Sequence, residues 1–158
     1  MTLNVLAWMA NTPVSAWVNS SAYIWPILEC IHFASLCVLV GSLLIIDLRL
    51  IGFYRERCAP MVQFLIRLSL TAFTVNLATG LLFLSGNTFK YIDNNFAFEL
   101  KIILIMLAGI NALFYKVRLS HLVDTEEVSL GSISVGYLSL LLWTGVIICG
   151  RMITFYAR

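Results

Sequence analysis

Glu29 and His32 stand three residues apart in Trp25-Pro26-Ile27-Leu28-Glu29-Cys30-Ile31-His32. That spacing puts a carboxylate and an imidazole on one face of an α-helix. From Cys30 to Ile46 no residue carries a formal charge, with His32 taken as neutral. Ionisable groups inside lipid are costly, so they face protein, water or a cofactor. His32 is the candidate metal ligand of the chain, and Glu29 can orient it or hold a proton. The alternative is a buried polar contact that locks helices together.

The elements that carry these residues follow from composition. Of 158 residues, 61% are hydrophobic and only 11% are charged, against about 25% charged in soluble domains. The mean hydropathy is +0.94. A soluble core of this length cannot hide so much apolar surface, so the solvent is the lipid bilayer. A net charge of +2 gives no reason to expect a nucleic-acid partner. Cys30, Cys37, Cys58 and Cys149 contain no Cys-x-x-Cys pair, which argues against a disulfide framework or a zinc site.

The expected fold class is an all-α integral membrane protein, a four-transmembrane-helix bundle over residues 22–158 with spans at about 22–48, 60–85, 96–115 and 130–156. Residues 1–21 form a short interfacial helical segment. Thr12-Pro13 is a helix start, and Trp8 and Trp17 sit at headgroup level. This N-terminus lacks the positive region of a cleaved signal and is expected to be retained. Asp47 and Arg49 mark the interface at the end of the first span. Gly131, Gly136, Gly145 and Gly150 suit close helix approach in the fourth. His121 falls in a charged connection and reads as a surface histidine. Arg49, Arg55, Arg57, Lys116 and Arg118 gather on one side of the membrane, which places both termini on the other. In a bacterium this is the inner membrane with periplasmic termini.

Depth then brings residues from different spans together. His32 is about ten residues into its span, Lys101 about five into its own, and Arg151 about five from the chain-terminal end of the last. Glu29 is one turn further out, and Asn76 slightly deeper. Glu29, His32, Asn76, Lys101 and Arg151 can therefore form one polar pocket toward the outer face. Two cations, a carboxylate and an imidazole suit haem b. The iron would take His32, the propionates would take Lys101 and Arg151, and Leu36, Leu39, Phe73 and Phe83 would supply apolar walls. The second axial position is open: five-coordinate iron, Lys101, Met106, Met152, or a group from another subunit. Copper with Cys30 and Cys149 as soft ligands is an alternative. A further one is an ion network that only packs the bundle.

The pattern Trp25-Pro26-x-x-Glu29-x-x-His32-Phe33, Gly41, Asp47-Leu48-Arg49-Leu50-x-Gly52 and Gly150-Arg151 resembles a family of small bacterial membrane proteins related to the CopD copper-resistance proteins. More distantly it is similar to the HemJ-type protoporphyrinogen oxidases. Lys101-Ile-Ile-Leu with Asn111 looks like the third helix of CopD-like bundles. The resemblance spans about residues 22–156. Toward CopD it implies copper uptake or handling. Toward HemJ it implies haem b on a first-helix histidine, with a lysine on a later helix, at places matching His32 and Lys101. The arginine motif ending the first helix of HemJ proteins is not present in the same form, so the oxidase activity does not carry over. The expected function is electron transfer near the periplasmic face, between quinone or a partner and a periplasmic acceptor. The alternatives are a non-redox subunit of a larger membrane complex or homo-oligomer, and copper handling.

Overall fold

The computed structural model describes residues 10–53, 59–88, 95–119 and 129–156. Among them every regular element is helical. The short α1, Pro13–Val18, starts as the sequence predicts: Pro13 lies in its first turn, and the Thr12 hydroxyl accepts from the Ser15 N–H at 3.3 Å. Val18 is buried against Gly86, and the Asn19 amide donates to the Gly86 carbonyl at 3.0 Å. Trp17 stays exposed, and Trp8 lies outside the described residues.

Four long helices follow: α2 (Ile24–Ile51), α3 (Ala59–Gly86), α4 (Phe96–Phe114) and α5 (Leu130–Tyr156). All four are long and apolar enough to cross a membrane. The 28 residues of α2 reach about 42 Å, more than the ~30 Å hydrocarbon layer. Pro26 falls in its first turn, where the missing N–H costs nothing. Gly52, at φ 111°, ends it in the left-handed conformation that glycine tolerates best. Asn95 caps α4 by accepting from the Phe98 N–H at 3.2 Å. A π-helical turn, Tyr115–Leu119, continues that helix beyond Phe114.

The helices form a four-helix bundle as two antiparallel hairpins, α2/α3 and α4/α5, joined through α2 against α5. The flanking helices α3 and α4 hardly meet. The buried positions explain this order. On α5, Ser132, Val135, Ser139, Leu142, Val146, Cys149 and Ile153 are buried at spacings of three and four. Gly136 and Gly145 let neighbours approach. An added Cβ at Gly136 would lie 3.0 Å from the Asp47 carbonyl oxygen, and one at Gly145 would lie 3.0 Å from Leu104. On α4 the buried set is Ala97, Ala108 and Asn111, with Lys101, Leu104 and Tyr115 partly covered. Ala112, which a four-residue spacing aligns with Lys101 and Ala108, is exposed. Asn111 takes the inward place and donates to the Val135 carbonyl at 3.1 Å. The many large apolar residues left exposed, such as Phe64, Leu81, Met106 and Ile110, form the surface expected toward lipid.

Candidate functional site

His32 packs against α3. Its Nδ1 lies 2.6 Å from the Thr79 hydroxyl. Its ring meets Phe83 edge-on, with centroids 5.5 Å apart. Gly80 faces the ring: an added Cβ would lie 3.9 Å from Cε1. One turn along, the Asn76 amide donates to the Ser35 hydroxyl at 2.8 Å. Ser35 is one helical turn from His32, so both hydrogen bonds cross the same α2/α3 seam.

The Thr79 hydroxyl also lies within reach of backbone carbonyls of its own helix, Val75 at 2.8 Å and Asn76 at 3.1 Å. When its single proton goes to one of those carbonyls, the oxygen accepts from Nδ1–H of His32, and Nε2 then keeps its lone pair. No described residue hydrogen-bonds Nε2. A ligating histidine usually holds its second ring nitrogen in this way. Replacing Thr79 by valine should cost about 1 kcal/mol of helix-pair stability, and serine should preserve it. Reversible denaturation in mixed micelles reads the difference; equal stability of the two variants would mean that the hydrogen bond contributes nothing.

The other sequence-derived residues divide. Lys101 lies on α4 against α5, where an added Cβ at Gly150 would sit 3.5 Å from its Nζ. It is close enough to His32, on the other hairpin, for its charge to act on the imidazole. Glu29 is exposed and accepts from the Trp25 indole N–H at 3.1 Å. Trp25 in turn packs on Phe83, with centroids 5.1 Å apart. Glu29 thus braces the helix end rather than the imidazole. Arg151 is exposed, its guanidinium carbon 6.0 Å from the centre of the Phe155 ring. The structure therefore places His32 and Asn76 on one α2/α3 seam, each bonded to a hydroxyl of the facing helix, adds Lys101 through its charge, and leaves Glu29 and Arg151 at the periphery. Phe83 forms a wall on His32 as expected, whereas Phe73 packs on Trp143 of α5. Met106 and Met152 are exposed. Thr79 and Ser35 are the residues that sequence reasoning missed, although each stands three positions from a residue it had singled out.

The donors can be tested against the two metals considered. Among the described residues, no three of His, Cys, Asp and Glu come together. Cys30 and Cys37 are exposed on α2, and Cys149 is buried beside Lys101. That set does not fit copper, which favours several convergent soft or imidazole donors. One histidine held at Nδ1, with a nearby ammonium, provides the donor types that a haem iron and one propionate take.

A second polar cluster lies at the opposite end of α2, roughly 22 Å from His32 at about 1.5 Å per residue. Asp47, read as an interface marker in the sequence, is only 3% exposed. The helix runs on to Ile51, and Gly136 lets α5 close over this turn. The Ser139 hydroxyl is within hydrogen-bonding reach of the Asp47 carboxyl, and both Asp47 and Arg49 act electrostatically on Tyr115.

No protein-family profile, curated protein or solved structure matches this chain.

Proposed function

We propose that the chain binds one b-type haem through Nε2 of His32 and serves one-electron transfer near one membrane face. The supporting observation is the Thr79 contact, which holds the ring by Nδ1, so that Nε2 is the nitrogen left for a metal. When bound, haem supplies the Fe(III)/Fe(II) couple. His32 would hold the iron, Lys101 would neutralise a propionate, and Phe83 would cover one edge of the imidazole. Met106 and Met152 are exposed and would not help to hold the iron. By the positive-inside rule the His32 end faces the periplasm of a bacterial inner membrane. A quinone or a periplasmic redox protein would then be the partner.

The haem content of protein purified with ample haem supply tests this reading. About one haem per chain is expected, since one histidine serves as ligand. Replacing Lys101 by alanine should weaken haem binding roughly 10- to 100-fold, because one charge-assisted contact contributes about 1.5–3 kcal/mol. Lys101→Arg should restore most of it, and Arg151→Ala should change it little. Unchanged retention in Lys101→Ala would remove the propionate assignment.

A second reading rests on the same seam. His32–Thr79 and Asn76–Ser35 are two interhelical hydrogen bonds on one helix pair, as a network that only locks helices would require. The chain would then be a colourless subunit of a larger membrane complex and would co-purify with its partners in fixed ratio.

A further inference from the structure

We infer that Asp47 is a proton-exchange site at the end of the bundle opposite His32, built with the hydroxyls of Ser139 and Tyr115. This does not rest on haem binding, since the cluster lies on the far half of α2.

Three observations carry it. First, the Asp47 side chain is buried, and its Oδ2 has no hydrogen-bond partner among the described residues. A buried carboxylate oxygen left unsatisfied is costly, and a proton removes the charge that makes it so. Second, the groups around it suit both states. Ser139 from α5 is within hydrogen-bonding reach, and Tyr115 from the π-helical turn after α4 is within electrostatic reach. A hydroxyl donates to a carboxylate and accepts from a carboxylic acid, whereas lysine and arginine only donate. Third, the packing favours the smallest ligand. An added Cβ at Gly136 would lie 3.0 Å from the Asp47 carbonyl oxygen and 3.0 Å from Ile51, so the α5 backbone lies directly on this turn. One carboxyl and two hydroxyls also fall short of the six or so oxygens that a hard cation collects.

Among the described residues, the charged and titratable groups in this cluster are Arg49 on the helix of Asp47 and Tyr115 at the start of the π-helical turn after α4. Ser139 on α5 does not titrate. The buried residues at the adjoining end of α3, Val62 and Leu65, are apolar. A proton from the aqueous phase at that end adds to Oδ2 and turns a carboxylate of charge −1 into a neutral acid. Its return restores the charge, and no other bond is made or broken. The π-helical turn that begins at Tyr115 lies beside this cluster, and such turns recur at functional positions.

Infrared spectroscopy of the full chain in lipid, titrated with acid and base, tests the inference. A carboxylic-acid C=O band should grow as the pH is lowered and shift in heavy water. It should disappear in Asp47→Asn, persist in Glu29→Gln, and move in frequency in Ser139→Ala. If Asp47→Asn does not fold, the Ser139→Ala frequency shift and the recovery of a band in Asp47→Glu carry the test. A band that survives Asp47→Asn would overturn the assignment. So would a band that Ser139→Ala leaves unmoved, or a carboxyl signal that responds to sodium chloride and not to pH.

Discussion

His32→Ala is expected to abolish haem retention while leaving membrane insertion intact. Loss of a hydrogen-bond partner behind a metal-bound histidine costs roughly 10–100-fold in affinity, so loss of the histidine itself should exceed that. Among the described residues no second histidine is available. His121, the other one in the chain, lies outside them, and His121→Ala should leave haem content unchanged. Insertion should survive, because the hydropathy of α2 does not depend on one imidazole: its span has a mean hydropathy of 2.2. Imidazole added to His32→Ala should restore part of the haem signal by entering the space left beside Thr79 and Gly80. If His32→Ala retained full haem content, the iron would have to bind elsewhere and the proposed site would be wrong.

Gly136→Val should produce the largest loss of stability of any single change at the α2/α5 contact. Even the first added carbon meets the Asp47 carbonyl oxygen and Ile51 Cγ1 at 3.0 Å and the Leu50 Cβ at 3.3 Å. A carbonyl in a helix cannot rotate aside, so the helices must separate. Overpacking of this kind costs about 1–3 kcal/mol, and here it also disturbs Ser139 one turn away. By contrast, an added carbon at Gly41 or Gly109 meets nothing within 4 Å, so Gly41→Ala and Gly109→Ala should be close to neutral. Thermal unfolding in detergent, followed by helical circular dichroism, ranks the variants. Equal midpoints for Gly136→Val and Gly109→Ala would contradict the close packing of α2 on α5.

The fold was legible because its determinants are local. Long uncharged runs, Thr12-Pro13 and the glycines of the fourth span each act through composition or through a backbone rule that needs no partner. The site was half legible. Depth arithmetic puts His32 and Lys101 at one level with Asn76 slightly deeper; in the structure His32 and Asn76 share the α2/α3 seam through bonds to Thr79 and Ser35, and the charge of Lys101 reaches His32. Depth says nothing about rotation, however, and rotation moves Glu29 and Arg151 to the periphery. The burial of Asp47 is not legible in the sequence, for a different reason. A carboxylate near the end of an apolar run resembles an interface marker. Its burial depends on Gly136 and Ser139 from a helix about 90 residues later in sequence. The available signal was the Gly136-x-x-Ser139 pair itself, a small-residue face that needs something to pack on. Thr79 was hidden similarly: hydroxyls in membrane helices usually bond their own backbone, as this one also does.

The most direct measurement is a reduced-minus-oxidised visible spectrum of the chain purified in mild detergent from cells supplied with haem. A b-type spectrum at about one haem per chain, lost in His32→Ala, is the predicted result. A flat spectrum from folded protein in which haem supply was not limiting would contradict it, leaving the His32–Thr79–Asn76–Ser35 seam as a lock between two helices.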